Sequence, residues 1–400
     1  MAAVLLFLTY LGIILLIGLL TSILSNKLKI PHILLLLLIG IALGKIKYKE
    51  GPLIFFPELF LTGISILALV MIVFDAASRF KLRKLDYFSL HTLWLSIIFL
   101  VFNLVFLTFF TTIIFDIKSI FLAFMFAALM SGTDPGAVLS MLKNANHRVF
   151  DFLKFEALLN TPLVVLLPFL ILDLKRTLKD QILASTFIDQ FVPLLQQFIV
   201  GIGTGVLIGL VMFKFMKKQY SMVLSPLAVI TSALLAYTIA ENLHGNGVLA
   251  VTSMGILFGN VYVKQKFQLQ EFSTVFSSSL EILVFVLIGL IVNIPFTIEF
   301  FLKSALLFAL YLFIRFLSIV FSLRGMNFGL KEKIFMSLNA QKGIAVAVVI
   351  FSLANLGIEG MSTVINLVLA FMLYSIILSA FILRASEFFI KTETKKINHL

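Results

Sequence analysis

The chain consists of long apolar runs separated by short hydrophilic gaps. A helix needs about 20 apolar residues to cross the hydrocarbon core of a bilayer, and only helices or closed β-barrels satisfy the backbone there. The runs do not alternate apolar and polar residues as barrel strands do. The pattern therefore predicts an all-α polytopic membrane protein with about thirteen transmembrane helices. The predicted helices cover residues 3–24, 31–44, 58–77, 88–114, 119–142, 150–172, 190–213, 222–242, 246–262, 276–294, 298–322, 332–354 and 362–386.

Composition and charge agree with this interpretation. Of the 400 residues, 61% are hydrophobic and 12% charged, against about 45–50% and about 25% in soluble globular chains. A soluble enzyme is thereby excluded. The net charge of +12 does not indicate a nucleic-acid partner, because the basic residues lie in the gaps between apolar runs. Most of them follow odd-numbered runs, so we expect a plasma-membrane protein with its N-terminus outside and its C-terminus in the cytoplasm.

Several kinds of chemistry are excluded by residue type. The chain has no cysteine, so it can form neither disulfides nor thiolate sites. Its five histidines are scattered without ligand spacing, and we expect no metal site other than one for a transported cation. The Gly-x-Ser-x-Gly and His-Glu-x-x-His motifs of hydrolases and metalloproteases are missing. We therefore expect neither an enzyme nor a cofactor.

Run five is interrupted by a polar segment at 131–136, Ser-Gly-Thr-Asp-Pro-Gly. Two glycines and Pro135 disfavour a continuous helix, and Pro135 also disfavours the helical conformation of Asp134. The segment predicts two half-helices that meet at an unwound stretch, which exposes carbonyls, the Thr133 hydroxyl and the Asp134 carboxylate at mid-depth. Charge at that depth is costly and marks a functional site.

Run twelve carries a comparable interruption at 339–343, Asn-Ala-Gln-Lys-Gly. Runs five and twelve are seven apart and therefore cross the membrane in opposite directions. Two broken helices in oppositely oriented halves indicate a transporter site built from inverted repeats. Lys342 is expected near the negative C-terminal end of a half-helix, where it acts as a structural counter-ion.

Run six contains Glu156 and Asn160, which lie on one face of a helix because they are four residues apart. Thr161 lies about 100° around from Asn160. Glu156 is deep enough in the run to need a cation, and Lys342 and Arg315 are the available ones. We expect Glu156 and Lys342 to form the ion pair that holds run six against run twelve.

At these residues the chain resembles the monovalent cation:proton antiporters, in particular the NhaP-type sodium/proton exchangers. The resemblance covers nearly the whole chain, and it depends on the order and spacing of motifs that are weak singly. They are Lys29-Ile30-Pro31, Thr133-Asp134-Pro135, Glu156 with Asn160, Gly245-Asn246-Gly247-Val248-Leu249-Ala250 with Gly255 and Gly259-Asn260, Lys331-Glu332-Lys333, and Gln341-Lys342-Gly343.

The resemblance implies an inverted-repeat antiporter fold in which two discontinuous helices cross at their breaks. It also implies a transport core, approximately residues 88–172 and 298–386, that moves across the membrane. Approximately residues 1–77 and 190–294 would form the interface of a homodimer. The implied activity is the exchange of a monovalent cation for H+ by alternating access at a single competitive site. The implied partners are these ions, the lipid bilayer and a second copy of the chain.

Three positions depart from the family pattern. The carboxylate that follows the run-six Asn in the family is Thr161 here, the run-twelve Arg is Lys342, and the run-eleven Arg-Pro pair is Arg315-Phe316. Asp134 is left as the expected titrating ligand, with the neutral oxygens of Thr133, Asn160 and Thr161 beside it. We expect Na+ as the cation, although such oxygens also serve Li+ and K+. The alternative is an uncoupled cation pathway or a membrane sensor, which the loss of the carboxylate at position 161 favours.

Overall fold

The computed structural model describes most of the chain. The described residues are 2–28, 32–48, 51–52, 54, 56–80, 87–134, 148–179, 187–218, 221–261, 265–291, 295, 297–354 and 356–390. Three parts of the sequence-based interpretation fall outside them: the Lys29-Ile30-Pro31 motif, Pro135 and Gly136 with the second half of run five, and the C-terminal tail from residue 391.

The described residues are almost entirely helical. One short antiparallel hairpin, β1 (Lys47–Tyr48) with β2 (Gly51–Pro52), lies between the second and third helices. The helices are α1 (Ala2–Leu28), α2 (His32–Lys45), α3 (Glu58–Ser78), α4 (Tyr87–Phe102), a π-helical turn (Asn103–Leu107), α5 (Thr108–Phe115), α6 (Ile120–Met130), α7 (Arg148–Lys179), α8 (Phe187–Lys218), α9 (Leu224–Asn242), α10 (Gly247–Asn260), α11 (Lys266–Ile291), α12 (Ile298–Ser322), α13 (Leu330–Leu338), α14 (Ile344–Ala354), α15 (Met361–Arg384) and α16 (Ser386–Phe389).

The helices follow the predicted apolar runs. Within the described residues nine helices are long and apolar enough to cross a membrane, and four further apolar helices are shorter: α2, α6, α10 and α14. Every one of the thirteen predicted runs overlaps at least one of these helices, so the all-α membrane fold is confirmed. The largest difference in bounds is α11, which begins at Lys266 and not at residue 276. Its first turns contain glutamines and a glutamate, and hydropathy alone does not detect a polar helical segment of this kind.

The chain divides into two compact units. The first comprises Met1–Lys84, Pro162–Ile294 and Ile344–Asn366, and the second comprises Leu85–Thr161, Pro295–Gly343 and Leu367–Leu400. The assignment of a transport role to one group of helices and an interface role to another stays a prediction.

Close helix packing at glycine characterises the first unit. A Cβ atom on Gly289 of α11 would lie 2.7 Å from the Cα atom of Gly40 on α2, which is too close for any side chain. Small residues are the usual means of close helix contact in membranes, where the hydrophobic effect does not drive helix association. The same device recurs between α8 and α10, where a Cβ atom on Gly205 would overlap the backbone of Ala250.

The second unit contains a buried apolar cluster that brings α7, α12 and α13 together. Glu156 of α7 follows this cluster by one helical turn, and Arg315 of α12 precedes it by one turn. The packing of apolar side chains thereby places two charged residues side by side. The cluster consists of Leu95, Val149, Phe150, Phe152, Leu153, Ile319, Leu323, Phe328, Phe335, Met336 and Ile390.

Candidate ion-binding site

The first predicted break begins at Ser131, within the second unit. Helix α6 ends at Met130, and residues 131–134 are not helical. Ser131 and Thr133 are buried, and Asp134 is partly buried. The chain therefore leaves the helix at the polar segment, as its glycine and proline content predicts.

The second predicted break lies between α13, which ends at Leu338, and α14, which begins at Ile344. All five intervening residues, 339–343, are buried. Non-helical backbone in the membrane is tolerated where it is buried in protein or lines a cavity. Both breaks meet this condition.

The two breaks are in direct contact. The backbone N–H of Asp134 donates to the carbonyl of Gln341 over 2.8 Å. The Asp134 side chain lies against Gly343, where a Cβ atom would overlap the carboxylate. Any residue larger than glycine at position 343 would therefore displace the Asp134 carboxylate.

Lys342 is fully buried between the breaks. Its ammonium donates to the carbonyls of Met130 and Gly132 and to the hydroxyl of Tyr311, the last two over 2.6 Å. The Met130 carbonyl is at the C-terminal end of α6, where the helix dipole is negative, and the Gly132 carbonyl follows it in the break. All three donors of the ammonium are occupied, and the side chain links the second break to the first.

Glu156 is paired with Arg315, and the predicted Glu156–Lys342 pair is wrong. The carboxylate accepts two hydrogen bonds from the guanidinium, over 2.8 and 3.0 Å, and the two side chains are 1% and 0% exposed. A planar guanidinium matches a carboxylate through two parallel bonds, which an ammonium cannot do. Lys342 is instead held by the carbonyls at the end of α6. The Arg315 guanidinium also lies 4.9 Å from the ring of Phe99.

The structure brings Thr133 and Asn160 together. The side-chain amide of Asn160 donates to the Thr133 hydroxyl over 2.9 Å. The Asn160 Oδ1 atom is buried and has no hydrogen-bond partner among the described residues. The Thr161 hydroxyl donates to the carbonyl of Ala157 on its own helix, over 2.6 Å, and keeps its oxygen available as an acceptor.

Two polar contributions to this region were missed from the sequence. Tyr311 is fully buried and hydrogen-bonds Lys342, and Ser375 accepts the Lys342 backbone N–H over 3.1 Å. Tyr311 precedes Arg315 by four residues and so shares its helix face, which is a signal that could have identified it. Ser375 has no such signal, because serines are frequent in α15 and its neighbours.

A separate cavity of about 360 Å³ lies within the first unit. Its lining combines the carboxylates of Asp173 and Glu241 with hydroxyl groups and the imidazole of His244. Glu241 also has a structural role, because its Oε1 atom accepts the backbone N–H of Gly247 at the start of α10. None of the site residues predicted from the sequence lines this cavity.

Comparison with known proteins identifies the family. The transmembrane sodium/hydrogen exchanger family matches residues 12–385. The K(+)/H(+) antiporter NhaP2 of Shewanella sp. (strain MR-4) is 24% identical over 373 residues, which is 90% of this chain and 63% of that protein. The Na(+)/H(+) antiporter ApNhaP of Aphanothece halophytica is 27% identical over 297 residues, which is 72% of this chain and 55% of that protein.

The fold agrees with this match. The sodium proton antiporter MjNhaP1 from Methanocaldococcus jannaschii superimposes with a TM-score of 0.76 at 21% identity, over 94% of this chain and 99% of that one. The chain spans less than two thirds of the length of the NhaP2 and ApNhaP relatives. Its apolar helices make it a multi-pass integral membrane protein. The match over residues 12–385 shows that the chain belongs to the transmembrane sodium/hydrogen exchanger family.

Proposed function

We propose that this protein exchanges a monovalent cation for protons across the membrane by alternating access. The observation that carries the proposal is the position of Asp134 in a helix break that contacts the second break directly. A carboxylate at a helix break near mid-membrane is costly and is characteristic of an ion or proton pathway. Relatives named as K(+)/H(+) and Na(+)/H(+) antiporters support the same reaction.

The proposed site consists of Asp134 as the titrating ligand and of Thr133, Asn160 and Thr161 as neutral ligands. Asn160 contributes most clearly, because its Oδ1 atom is buried and has no hydrogen-bond partner among the described residues. Leaving such an acceptor without a partner costs free energy, which a bound cation would recover. The carboxylate binds either a proton or the cation, and this competition couples the two fluxes.

We propose Na+ as the cation, although hydroxyl, amide and carboxylate oxygens also accept Li+ and K+. The choice is open to direct measurement, because one relative is named for K+ and another for Na+. Purified protein in proteoliposomes, challenged in turn with the three cations, should give a larger change in internal pH with Na+ than with K+. A larger response to K+ would reverse the assignment without removing the exchange.

Asp134→Asn tests the mechanism, because an asparagine at this position cannot exchange a proton with the cation. We expect this variant to abolish cation-dependent proton movement in everted vesicles or proteoliposomes. Asp151→Asn is the matched control, since Asp151 is exposed at the start of α7 and should retain full exchange. Unchanged exchange in Asp134→Asn would refute the proposed role.

A second candidate function is an uncoupled cation pathway or a membrane sensor. The presence of Thr161 where the family carries a carboxylate favours it, because a threonine cannot titrate. Cation flux that leaves internal pH untouched in reconstituted protein would support this alternative. Cation-dependent proton movement would exclude it.

The proposal includes an arrangement in the membrane. The protein would lie in the plasma membrane with its N-terminus outside and its C-terminus in the cytoplasm. It would form a homodimer through helices in residues 1–77 and 190–294, with 88–172 and 298–386 as the moving core. The chain contains no cysteine, so single introduced cysteines and a membrane-impermeant maleimide can test the orientation. Cross-linking between copies can test the dimer.

A further inference from the structure

The helical segment that precedes the first break changes its geometry near the middle of its length. Within the apolar segment Leu90–Phe115, α4 gives way to the π-helical turn at Asn103, which is near the middle of the segment. The backbone N–H of Thr108 donates to the Asn103 carbonyl five residues earlier, as a π-helix requires. Such turns occur frequently at functional sites, and this one carries the polar side chain of Asn103 at its start and is followed directly by Thr108.

Asn103 is anchored to the first break. Its side chain is 0% exposed, and its amide nitrogen donates to the Ser131 hydroxyl over 3.1 Å. Ser131 in turn donates to the carbonyl of Ala127 over 2.9 Å. The contact holds Asn103 against the first break, because Ser131 lies only three residues before Asp134 in the sequence. The Asn103 Oδ1 atom is buried and has no hydrogen-bond partner among the described residues.

Thr108, at the end of the same turn, presents a second such oxygen. Its side chain is 4% exposed, and its hydroxyl has no hydrogen-bond partner within the described part of the chain. A threonine in a helix normally donates its hydroxyl to the carbonyl four residues earlier. Thr111 and Thr112 do so, over 2.6 and 2.9 Å. Thr108 does not, because the π-helical turn shifts the register of the preceding carbonyls.

Two uncharged oxygens at mid-depth without partners restrict the ligand they can take. Buried polar atoms cost free energy unless they are bonded, and exceptions concentrate at functional sites. The Asn103 amide oxygen can only accept, so it can bind a cation and not an anion, and the Thr108 hydroxyl can offer its oxygen to the same cation. A divalent metal is disfavoured, because the described residues contain no group of three His, Cys, Asp or Glu that could hold one. A monovalent cation fits both the charge and the donor set.

We propose that Asn103 and Thr108 form a second, uncharged station for the transported cation, next to the first break. The inference rests on the cation transport proposed above and extends it to a helix outside the predicted site. Asn160 approaches the break through Thr133, and Asn103 approaches it through Ser131. The cation would thus be passed between neutral oxygens on two helices that contact the segment carrying Asp134.

Thr108→Val tests the station, because valine keeps the shape of threonine and removes only the hydroxyl. Thr111→Val is the matched control, since Thr111 is a fully buried threonine on the same helix whose hydroxyl is bonded. The first measurement is the shift in Tm of purified protein when NaCl or KCl replaces choline chloride at constant ionic strength. The second is cation-dependent proton movement in proteoliposomes.

We expect Thr108→Val to raise the Tm in choline chloride, because an unbonded buried hydroxyl is removed. We also expect it to raise, about threefold to tenfold, the cation concentration that gives half of the maximal Tm shift and half of the maximal rate of proton movement. The loss of one uncharged contact should weaken cation binding by about this factor. Thr111→Val should leave that concentration unchanged. A variant that is more stable and yet binds the cation more weakly is not explained by a purely structural role.

A higher Tm with an unchanged half-maximal concentration for both cations would overturn the station. Should Thr108→Val fail to fold, Asn103→Leu is judged by the half-maximal cation concentration alone, because it also removes the hydrogen bond to Ser131 and no rise in Tm is expected. If the unmodified protein shows a cation-dependent Tm shift but no proton movement, the proposed exchange is refuted. Cation binding at Asn103 and Thr108 is then still judged by the Thr108→Val comparison. Exchange that persists with equal half-maximal concentrations in Thr108→Val and Thr111→Val would refute only the station.

Discussion

Glu156 and Asn160 lie one turn apart on α7, and they differ in how many of their side-chain oxygens accept a hydrogen bond. The Glu156 carboxylate is held by both arms of the Arg315 guanidinium, with both partners almost fully buried. Asn160 donates to Thr133, and its Oδ1 atom has no hydrogen-bond partner among the described residues. A buried carboxylate with both oxygens bonded can hold two helices together, whereas a buried amide oxygen without a partner can accept a ligand. We therefore propose an architectural role for Glu156 and a ligand role for Asn160.

The largest effect is expected from breaking the buried ion pair between Glu156 and Arg315. Arg315→Ala leaves Glu156 as an uncompensated buried charge, so the free energy of unfolding should fall by about 3–5 kcal/mol. Thermal unfolding of the detergent-solubilised protein measures the change. Arg384→Ala is the control, because Arg384 is exposed and its loss should cost less than about 0.5 kcal/mol. Equal stability of the two variants would show that the pair is not architectural.

An intermediate effect is expected from adding a methyl group at Gly343, which crowds the proposed ion site without removing a polar group. In Gly343→Ala the new methyl group overlaps the Asp134 carboxylate, and such overpacking typically costs about 1–3 kcal/mol. The displaced carboxylate should weaken cation-dependent proton movement in proteoliposomes. Gly63→Ala is the control, because nothing lies within 4 Å of a Cβ atom built there. Its stability should rise slightly, by about 0.5–1 kcal/mol, as for alanine in place of a helical glycine. Full exchange by Gly343→Ala would contradict the proposed position of the site.

The smallest effect is expected from adding a charge at position 161, beside Asn160. Thr161→Asp introduces a second titrating group next to Asn160, so the pH dependence of exchange should become steeper. Thr161→Ser keeps a neutral hydroxyl and should retain the original pH profile. The measurement is the initial rate of cation-dependent proton movement over a series of pH values. Identical profiles for the aspartate and serine variants would show that Thr161 lies away from the ion path.

The positions of the helices and of both breaks could be predicted from the sequence because the membrane imposes them. A spanning segment must be apolar over its length, and a Gly-rich or Pro-containing polar interruption must unwind it. The bounds of α6 and α13 follow that logic. The start of α11 does not, because its first turns are polar and lack the signal on which the prediction depends.

Pairing between distant residues was less predictable. The sequence offered two cations for Glu156, and the choice between them depends on the packing that sets Arg315 beside α7. Nothing local distinguishes that arrangement from a Glu156–Lys342 pair. The π-helical turn at Asn103 was missed for a related reason, since an apolar run containing one asparagine looks like an uninterrupted helix. A cluster of polar residues with glycine or proline, or a charged residue, marks the other sites, and Asn103 has neither beside it.

One ammonium group fastens the two unwound segments to each other. Lys342 belongs to the second break, yet its hydrogen bonds end on the carbonyls of Met130 and Gly132 at the first break. Pulling these segments apart would leave the Lys342 side chain without its hydrogen-bond partners in a dry interior. Under the proposed exchange, we therefore expect the two breaks to move together, and we expect no gate to open between them.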